Sequence, residues 1–395
     1  MNKFTIMISK STINRTLFLS FFIITISFGK ELTLEAIFNE DIFQRASLGH
    51  YQWIPEIDAY VVLEEDTVTN KKSLLSIDLV TGDTSLFISS EKFIVEEDTL
   101  NFSNFRFSPD GNNLLLLTQK QKKWRRSFYG IYYNYSIPET ELTQIASGDF
   151  ITNVKYSPDS KKIAYVKEDN NVFVYNIRNR KERKLTRDGS ETILNGIRGW
   201  LYEEEFGSFD GYRWSPESKN ILFFREDQSM VRKFTFLDET KLYPEIKQVY
   251  YPKTGEKNPT VKIGVVTIRG GRTKWLDTGE NEDMYFPRAD WCENQPFVAR
   301  LNRKQNHLEW LKYDKRFRNM EIIIEDVDSA WVDVHETPIF LTDGSCLFTS
   351  ERTGYRHIYY ADERGKIINQ ITKGEWEVKL LVDVDQESGK IYFTA

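Results

Sequence analysis

The chain has 395 residues, too many for one ordinary core, so it needs either two domains or a repeated architecture. Its formal charge is −6, more negative still once Lys3, Lys10 and Arg15 of residues 1–29 are set aside, and this argues against nucleic acid as a partner, because phosphate binding needs a basic surface. The two cysteines, Cys292 and Cys346, exclude a disulfide-stapled mini-fold while leaving room for one bridge; neither has metal-ligand spacing and the four histidines are scattered, which speaks against zinc and supplies no cofactor site.

Residues 1–29 have the layout of a secretory signal peptide: a basic stretch, an apolar run from Leu17 to Gly29, and the small-residue ending Ser27-Phe28-Gly29. The alternative is an uncleaved membrane anchor, for which the run falls short of the ~20 residues that span a bilayer. Both readings imply export, to a periplasm or the extracellular space, and neither bears on the fold. Beyond this segment, Phe (27), Tyr (20) and Trp (9) make up 14% of the chain, and alanine is sparse, a bias toward pleated sheet over helix.

A phrase then recurs. Phe107-Ser108-Pro109-Asp110-Gly111, Tyr156-Ser157-Pro158-Asp159-Ser160 and Trp214-Ser215-Pro216-Glu217-Ser218 each have turn chemistry, with Pro presetting the backbone, an acid after it, and Gly or Ser closing. Each leads into an apolar strand, predicted at Leu114–Leu117, Ile163–Val166 and Ile221–Phe224. Weaker copies are Trp53-Ile54-Pro55, Tyr285-Phe286-Pro287 and Phe340-Leu341-Thr342-Asp343-Gly344. Periods of roughly 40–50 residues, each holding several short strands, are the signature of propeller blades, and the anchor spacings sit at or above that period. Between anchors, Ser73–Asp78 with Thr84–Ile88, and Asn171–Tyr175 with Lys181–Thr186, read as hairpins supplying the outer strands of blades. The expectation is therefore an all-β fold, a β-propeller of four-stranded antiparallel blades over 30–395, with about six to seven blades by anchor count.

Two intervals between anchors are long, and the first contains Asn195-Gly196-Ile197-Arg198-Gly199-Trp200-Leu201-Tyr202-Glu203-Glu204-Glu205-Phe206, which fits no strand alternation. Like charges held together among aromatic rings raise one another's pKa, so something cationic should share the site. Adjacent carboxylates converge on one target only from a helical turn or an irregular loop, since neighbours in a strand point to opposite faces. A protonated α-amine, with three donors, is a suitable guest for two carboxylates. For a bare run of glutamates alone, a solvated acidic loop is the favoured reading.

The flanking residues carry a resemblance. Trp200-Leu201-Tyr202-Glu203-Glu204-Glu205 followed by Trp214-Ser215-Pro216 resembles the double-Glu motif of dipeptidyl peptidase IV and its bacterial relatives, and so do Tyr251-Pro252-Lys253-Thr254-Gly255-Glu256 through Asn258-Pro259-Thr260-Val261, Ser350-Glu351-Arg352 with Gly354-Tyr355-Arg356-His357, and Thr372-Lys373-Gly374-Glu375-Trp376-Glu377-Val378. The resemblance runs from about residue 50 to the end, with Arg198-Gly199 departing from the Pro-Asp pair usual before the motif tryptophan. It implies that Glu204 and Glu205 hold a substrate's N-terminal amine, that Glu203 is structural, and that Arg125, in Trp124-Arg125-Arg126, binds the substrate carbonyl near the amine. Without the resemblance, Arg125 is one basic residue among Lys122–Arg126 on an exposed turn.

In that family hydrolysis belongs to a C-terminal α/β-hydrolase domain with Ser, Asp and His. No G-x-S-x-G occurs here and no residue takes a covalent catalytic role. The family's propeller has eight blades, so the expectation is a propeller short of its last blade, with the hydrolase domain absent. The implied function is the amine-binding and substrate-gating part of a serine exopeptidase that releases Xaa-Pro or Xaa-Ala dipeptides from peptides with a free N-terminus. A homodimer stays open. The competing readings are a non-catalytic exported binding propeller and a glycan-cleaving propeller; the latter needs carboxylates ~5–9.5 Å apart across a sugar, a poor match to the adjacent Glu204 and Glu205.

Overall fold

The structure is a computed structural model that describes residues 32–38, 49–54 and 57–395. The export segment at 1–29 and Pro55 of the upstream anchor lie outside the described residues. The chain divides into two compact units, 1–49 and 50–395. In the first, the described residues form a short helix, α1 (Leu34–Phe38), opened by the Thr33 hydroxyl accepting from the Ala36 N–H at 3.1 Å.

The second unit is a series of antiparallel sheets taken up in chain order. Blade 1 is Tyr51–Trp53, Ala59–Glu65, Lys72–Asp78 and Thr84–Ile88. Blade 2 is Asn104–Phe107, Asn113–Lys122, Phe128–Ser136 and Glu141–Gln144, and blade 3 is Ile151–Tyr156, Lys162–Lys167, Val172–Asn176 and Lys181–Lys184. In blade 4 the first strand is split, with Ile193–Asn195 and Tyr212–Trp214 both pairing with Asn220–Asp227, followed by Thr260–Thr267 and Lys274–Trp275. Blade 5 repeats the split, Met284–Tyr285 and Ala289–Cys292 both lying against Gln295–Asn302, with His307–Tyr313 and Met320–Val327 outside. Blade 6 is Ile339–Phe340, Cys346–Ser350, His357–Ala361 and Ile367–Gln370, and a hairpin of Leu380–Asp385 and Lys390–Thr394 follows. The β-propeller expected from the turn phrase is the fold observed.

The core lies between sheets. Phe93, Phe105, Leu114 and Tyr135 fill the space between blades 1 and 2; Leu115, Ile151, Tyr165 and Phe173 that between 2 and 3; Val166, Val172, Tyr212 and Phe223 that between 3 and 4. A larger cluster including Leu222, Ile263, Phe297, Trp310 and Phe348 runs through blades 4 to 6. This explains why the predicted strands read as nearly continuous apolar runs: both of their faces are covered.

The turn phrase also joins blades. The Ser108 hydroxyl donates to Asp110 Oδ1 at 2.6 Å and accepts from the Asn113 N–H at 2.9 Å, closing its own turn. The Asp110 N–H donates to the Ser160 hydroxyl of the next blade at 3.1 Å, and the Asp159 N–H donates to Ser218 of the blade after that at 2.9 Å. Ser160 and Ser218 both hold φ at 58°, left-handed positions that glycine would occupy more easily; their hydroxyls are the reason for serine.

Both long anchor intervals hold inserted structure. Residues 196–211 leave the split first strand of blade 4, and a two-stranded arm, Lys233–Asp238 with Glu245–Tyr250, sits between its second and third strands.

Candidate functional site

The excursion from blade 4 has a narrow neck. Ile197 bridges Asp210, and the Gly211 N–H donates to Gly196 O at 3.2 Å. A Cβ on Gly211 would lie 2.6 Å from the Gly196 carbonyl carbon, and Gly196 itself holds φ at +73°, so the two strands meet closely only because both are glycine. Beyond the neck the chain forms α2 (Trp200–Phe206), ended by Gly207 in the left-handed conformation at φ 59°. The irregular segment expected from the sequence is thus a two-turn helix, which puts successive glutamates about 100° apart around its axis.

The three glutamates separate by environment. Glu203 is fully buried and accepts the Arg126 N–H at 2.7 Å and the Ser127 N–H at 3.0 Å on Oε1, and the Ser127 hydroxyl at 2.6 Å on Oε2. It ties α2 to the turn between the second and third strands of blade 2. That turn carries Arg125, whose Nε lies 3.6 Å from Glu204 Oε2. The Glu204 side chain is 21% exposed and that of Arg125 74%, so the carboxylate is held in a recess and the guanidinium reaches over it from solvent. Glu205 is exposed, with no hydrogen-bond or ion-pair partner among the described residues. Of the three residues singled out in the sequence, Glu204 and Arg125 are brought together as an ion pair, while Glu205, the next residue on the helix, is exposed and has no hydrogen bond or ion pair to either among the described residues.

Three further residues fix this helix. Arg198 is buried, its guanidinium stacked 3.6 Å from the Tyr202 ring and 4.0 Å from the Phe224 ring, with Nη1 and Nη2 donating to Phe286 O at 3.1 and 3.2 Å. Burial pulls its pKa down, and Glu226, fully buried with Oε2 3.6 Å from Arg198 Nε, compensates the charge. Glu226 also accepts the Gly199 N–H at 3.0 Å and the Gln228 amide at 2.7 Å. A Cβ on Gly199 would fall 2.3 Å from Glu226 Oε1, so the Arg198-Gly199 pair, the departure from the family pattern, is matched to this buried acid. From blade 5, Arg288 Nη1 donates to Phe206 O at 2.8 Å, satisfying a carbonyl in the last turn of α2, and the Phe286 N–H donates to the Tyr202 hydroxyl at 3.3 Å. The break in the first strand of blade 5 exists at this contact.

The sequence reading did not single out Ser127, Glu226 or Arg288. An acid closing the apolar run Ile221–Phe224 and an arginine directly after the Tyr285-Phe286-Pro287 anchor were the available signals.

Cys292 and Cys346 are both buried thiols, with burial pushing each pKa up, Cys346 to about 12. His307, Glu309 and Glu325 place ligand atoms within 4.8 Å of one another, but Glu309 Oε2 already accepts from Arg300 Nε at 2.7 Å, so an arginine occupies the place a metal would take.

The site is thus an acidic helix inserted in blade 4, with an arginine of blade 2 paired to one of its carboxylates. The sequence profile of the dipeptidyl peptidase IV (DPP IV) N-terminal region matches residues 108–395. The chain belongs to that family. It is 26% identical to dipeptidyl aminopeptidase B of Saccharomyces cerevisiae over 74% of this chain and 38% of that protein, and 27% identical to a probable dipeptidyl peptidase 4 of Aspergillus fumigatus over 90% of this chain and 48% of that one. The crystal structure of Porphyromonas gingivalis dipeptidyl peptidase 4 superposes with a TM-score of 0.84 at 27% identity, covering 92% of this chain and 52% of that one. A putative dipeptidyl aminopeptidase IV from Bacteroides ovatus shares the fold, with a TM-score of 0.69. The chain spans half or less of the length of the curated relatives it matches.

Proposed function

We propose that this chain is the substrate-admitting part of an exported serine dipeptidyl peptidase, and that Glu204 and Glu205 hold the N-terminal ammonium of the peptide. The single observation carrying this is the division of labour on α2: Glu203 is consumed by the blade 2 turn, while Glu204 has only the exposed Arg125 as partner and Glu205 is exposed with none among the described residues. Two carboxylates about 100° apart on a helix can share one ammonium by charge-assisted hydrogen bonds. Arg125, mostly exposed and anchored on Glu204, is free to donate to the carbonyl next to that amine, and its planar fork fixes the carbonyl's direction.

Specificity follows from length. With the amine pinned, an extended chain advances ~3.3–3.6 Å per residue, so only the bond after the second residue, about 7 Å along, reaches a nucleophile placed for it. That nucleophile belongs to a C-terminal α/β-hydrolase domain of the complete protein, and proline or alanine is the preferred second residue.

In the full-length protein, Glu204→Ala with Glu205→Ala should abolish dipeptide release from free peptides while the circular dichroism spectrum and melting temperature stay those of the parent. Dipeptide release at the parental rate ends the proposal.

A further inference from the structure

We propose that the groove between the outer edges of blades 3 and 4 binds a compact sugar phosphate, its phosphate oxygens taken by Arg183, Arg187, Arg269 and Arg272 and its ring laid against Trp275. The groove encloses about 840 Å³ and lies apart from α2, with none of Glu204, Glu205 and Arg125 among its lining residues. It rests on its own observations and goes beyond the peptidase reading.

Two basic segments, Arg183 to Arg187 and Arg269 to Lys274, form its walls, joined where Arg183 Nη1 donates to Arg269 O at 2.7 Å. Arg183, Lys184, Arg187, Arg269, Arg272 and Lys274 line it together with a single acid, Asp188. That acid is engaged elsewhere, accepting from Arg225 Nε at 2.7 Å and from Asn195 Nδ2 at 3.0 Å. Lys184 is satisfied by Asp169 at 2.7 Å, whereas Arg187, Arg269 and Arg272 have no carboxylate partner among the described residues. In a chain of net charge −6, such a concentration of unpaired guanidinium groups is against the general balance. These guanidinium groups are exposed, so solvent screens their mutual repulsion, and together they set a local positive potential that attracts an anion.

The chemistry of the walls narrows the guest. Guanidinium groups match phosphate oxygens in bidentate pairs, which lysines do not. The Gly270-Gly271 turn, with φ of +80° and +107°, brings bare backbone between the two arginines of that wall. Trp275 is 44% exposed, its ring backed by Phe223 at 5.7 Å, and offers a flat apolar face beside the cations. The volume is that of a small-molecule site, and the net negative charge of the rest of the chain disfavours a long duplex, consistent with the argument from composition. A free sugar phosphate and the sugar-phosphate headgroup of a lipid share the required chemistry.

The test is isothermal titration of the protein with inorganic pyrophosphate and with fructose bisphosphate, alongside co-sedimentation with phosphatidylcholine vesicles carrying a minor share of phosphatidylinositol phosphate. Binding is expected to weaken at least ~10-fold with Arg269→Glu and Arg272→Glu together, and to fall with added salt. Arg187→Glu, on the opposite wall, should weaken it separately, while Trp275→Ala weakens fructose bisphosphate and spares pyrophosphate. Glu204→Ala with Glu205→Ala should leave all of it unchanged. Binding in solution alone points to the free ligand, and binding to vesicles alone points to the headgroup. Absence of binding to every probe, or binding that the Arg269→Glu/Arg272→Glu protein retains in full, overturns the proposal.

Discussion

Replacing Glu203 by alanine removes the buried carboxylate through which the blade 2 turn holds the acidic helix. Three donors, the Arg126 N–H, the Ser127 N–H and the Ser127 hydroxyl, lose a buried carboxylate at 2.6–3.0 Å. Hydrogen bonds to a charged group contribute about 1.5–3 kcal/mol each, but the blade 2 turn borders solvent and water can replace part of the loss, so about 3–5 kcal/mol is expected in total. Glutamine is a sharper probe. Its oxygen can still accept both N–H groups and its amide can donate to the Ser127 hydroxyl, so only the charge is lost, about 1–2 kcal/mol. With an unfolding entropy near 2.1 cal/mol/K per residue, a unit of roughly 350 residues loses about 1.4 °C per kcal/mol. Scanning calorimetry should therefore show Tm lowered by roughly 4–7 °C for Glu203→Ala and roughly 1–3 °C for Glu203→Gln, with faster amide exchange in α2 for the alanine variant. Equal shifts for the two variants, or none for alanine, would refute the assignment of Glu203 as the tether.

Other expectations follow from the blades. Ser160→Ala should cost about 1 kcal/mol through loss of the acceptor for the Asp110 N–H, whereas Ser160→Gly should cost less, because glycine relieves the positive φ; the same order is expected at Ser218 in urea titrations. His335, its side chain 9% exposed, is held down to about 4 by burial and by the nearby Arg356 and Arg288, which outweigh Asp333 and the Glu351 carboxylate 3.5 Å away. The unfolded chain protonates this ring near pH ~6.5 and the folded one does not until about pH 4, so stability falls as pH drops through that window, by at most about 3 kcal/mol. His335→Asn should flatten the acid limb of the stability profile, measured by denaturant midpoint against pH, and an unchanged limb would contradict the burial argument.

The fold was legible because its repeat is local chemistry. A Ser-Pro-acid turn closes on itself within a few residues, and the strand after it is apolar on both faces, so each blade announces itself without reference to its neighbours. Thr84–Ile88 falls where alternation placed it, and Lys181–Thr186 ends early, at Lys184, where Leu185 enters the core shared with blade 4 and the Thr186 hydroxyl bonds to Val172 and Asn171 of its own blade. The helix was legible in part: three adjacent acids outside any alternation required a turn of helix or a loop, and the helix is what formed. What positions it was not. Glu203 reaches Ser127 across 76 residues and Arg288 reaches Phe206 across 82, and no spacing rule links partners that meet only when blades close on one another. The basic groove shows the same limit, since its two runs are plain in the sequence but their meeting across 86 residues is a property of adjacent blade edges.

The most direct test of the amine site is calorimetric titration of the full-length protein with a short peptide bearing a free N-terminus and with the same peptide acetylated. The free amine should bind at least ~10-fold more tightly at neutral pH, and the advantage should disappear above its own pKa of ~7.7–8.0 and in the Glu204→Ala/Glu205→Ala protein. Equal affinity for the acetylated peptide would contradict the account at its centre, because neither carboxylate would then have a cation to hold.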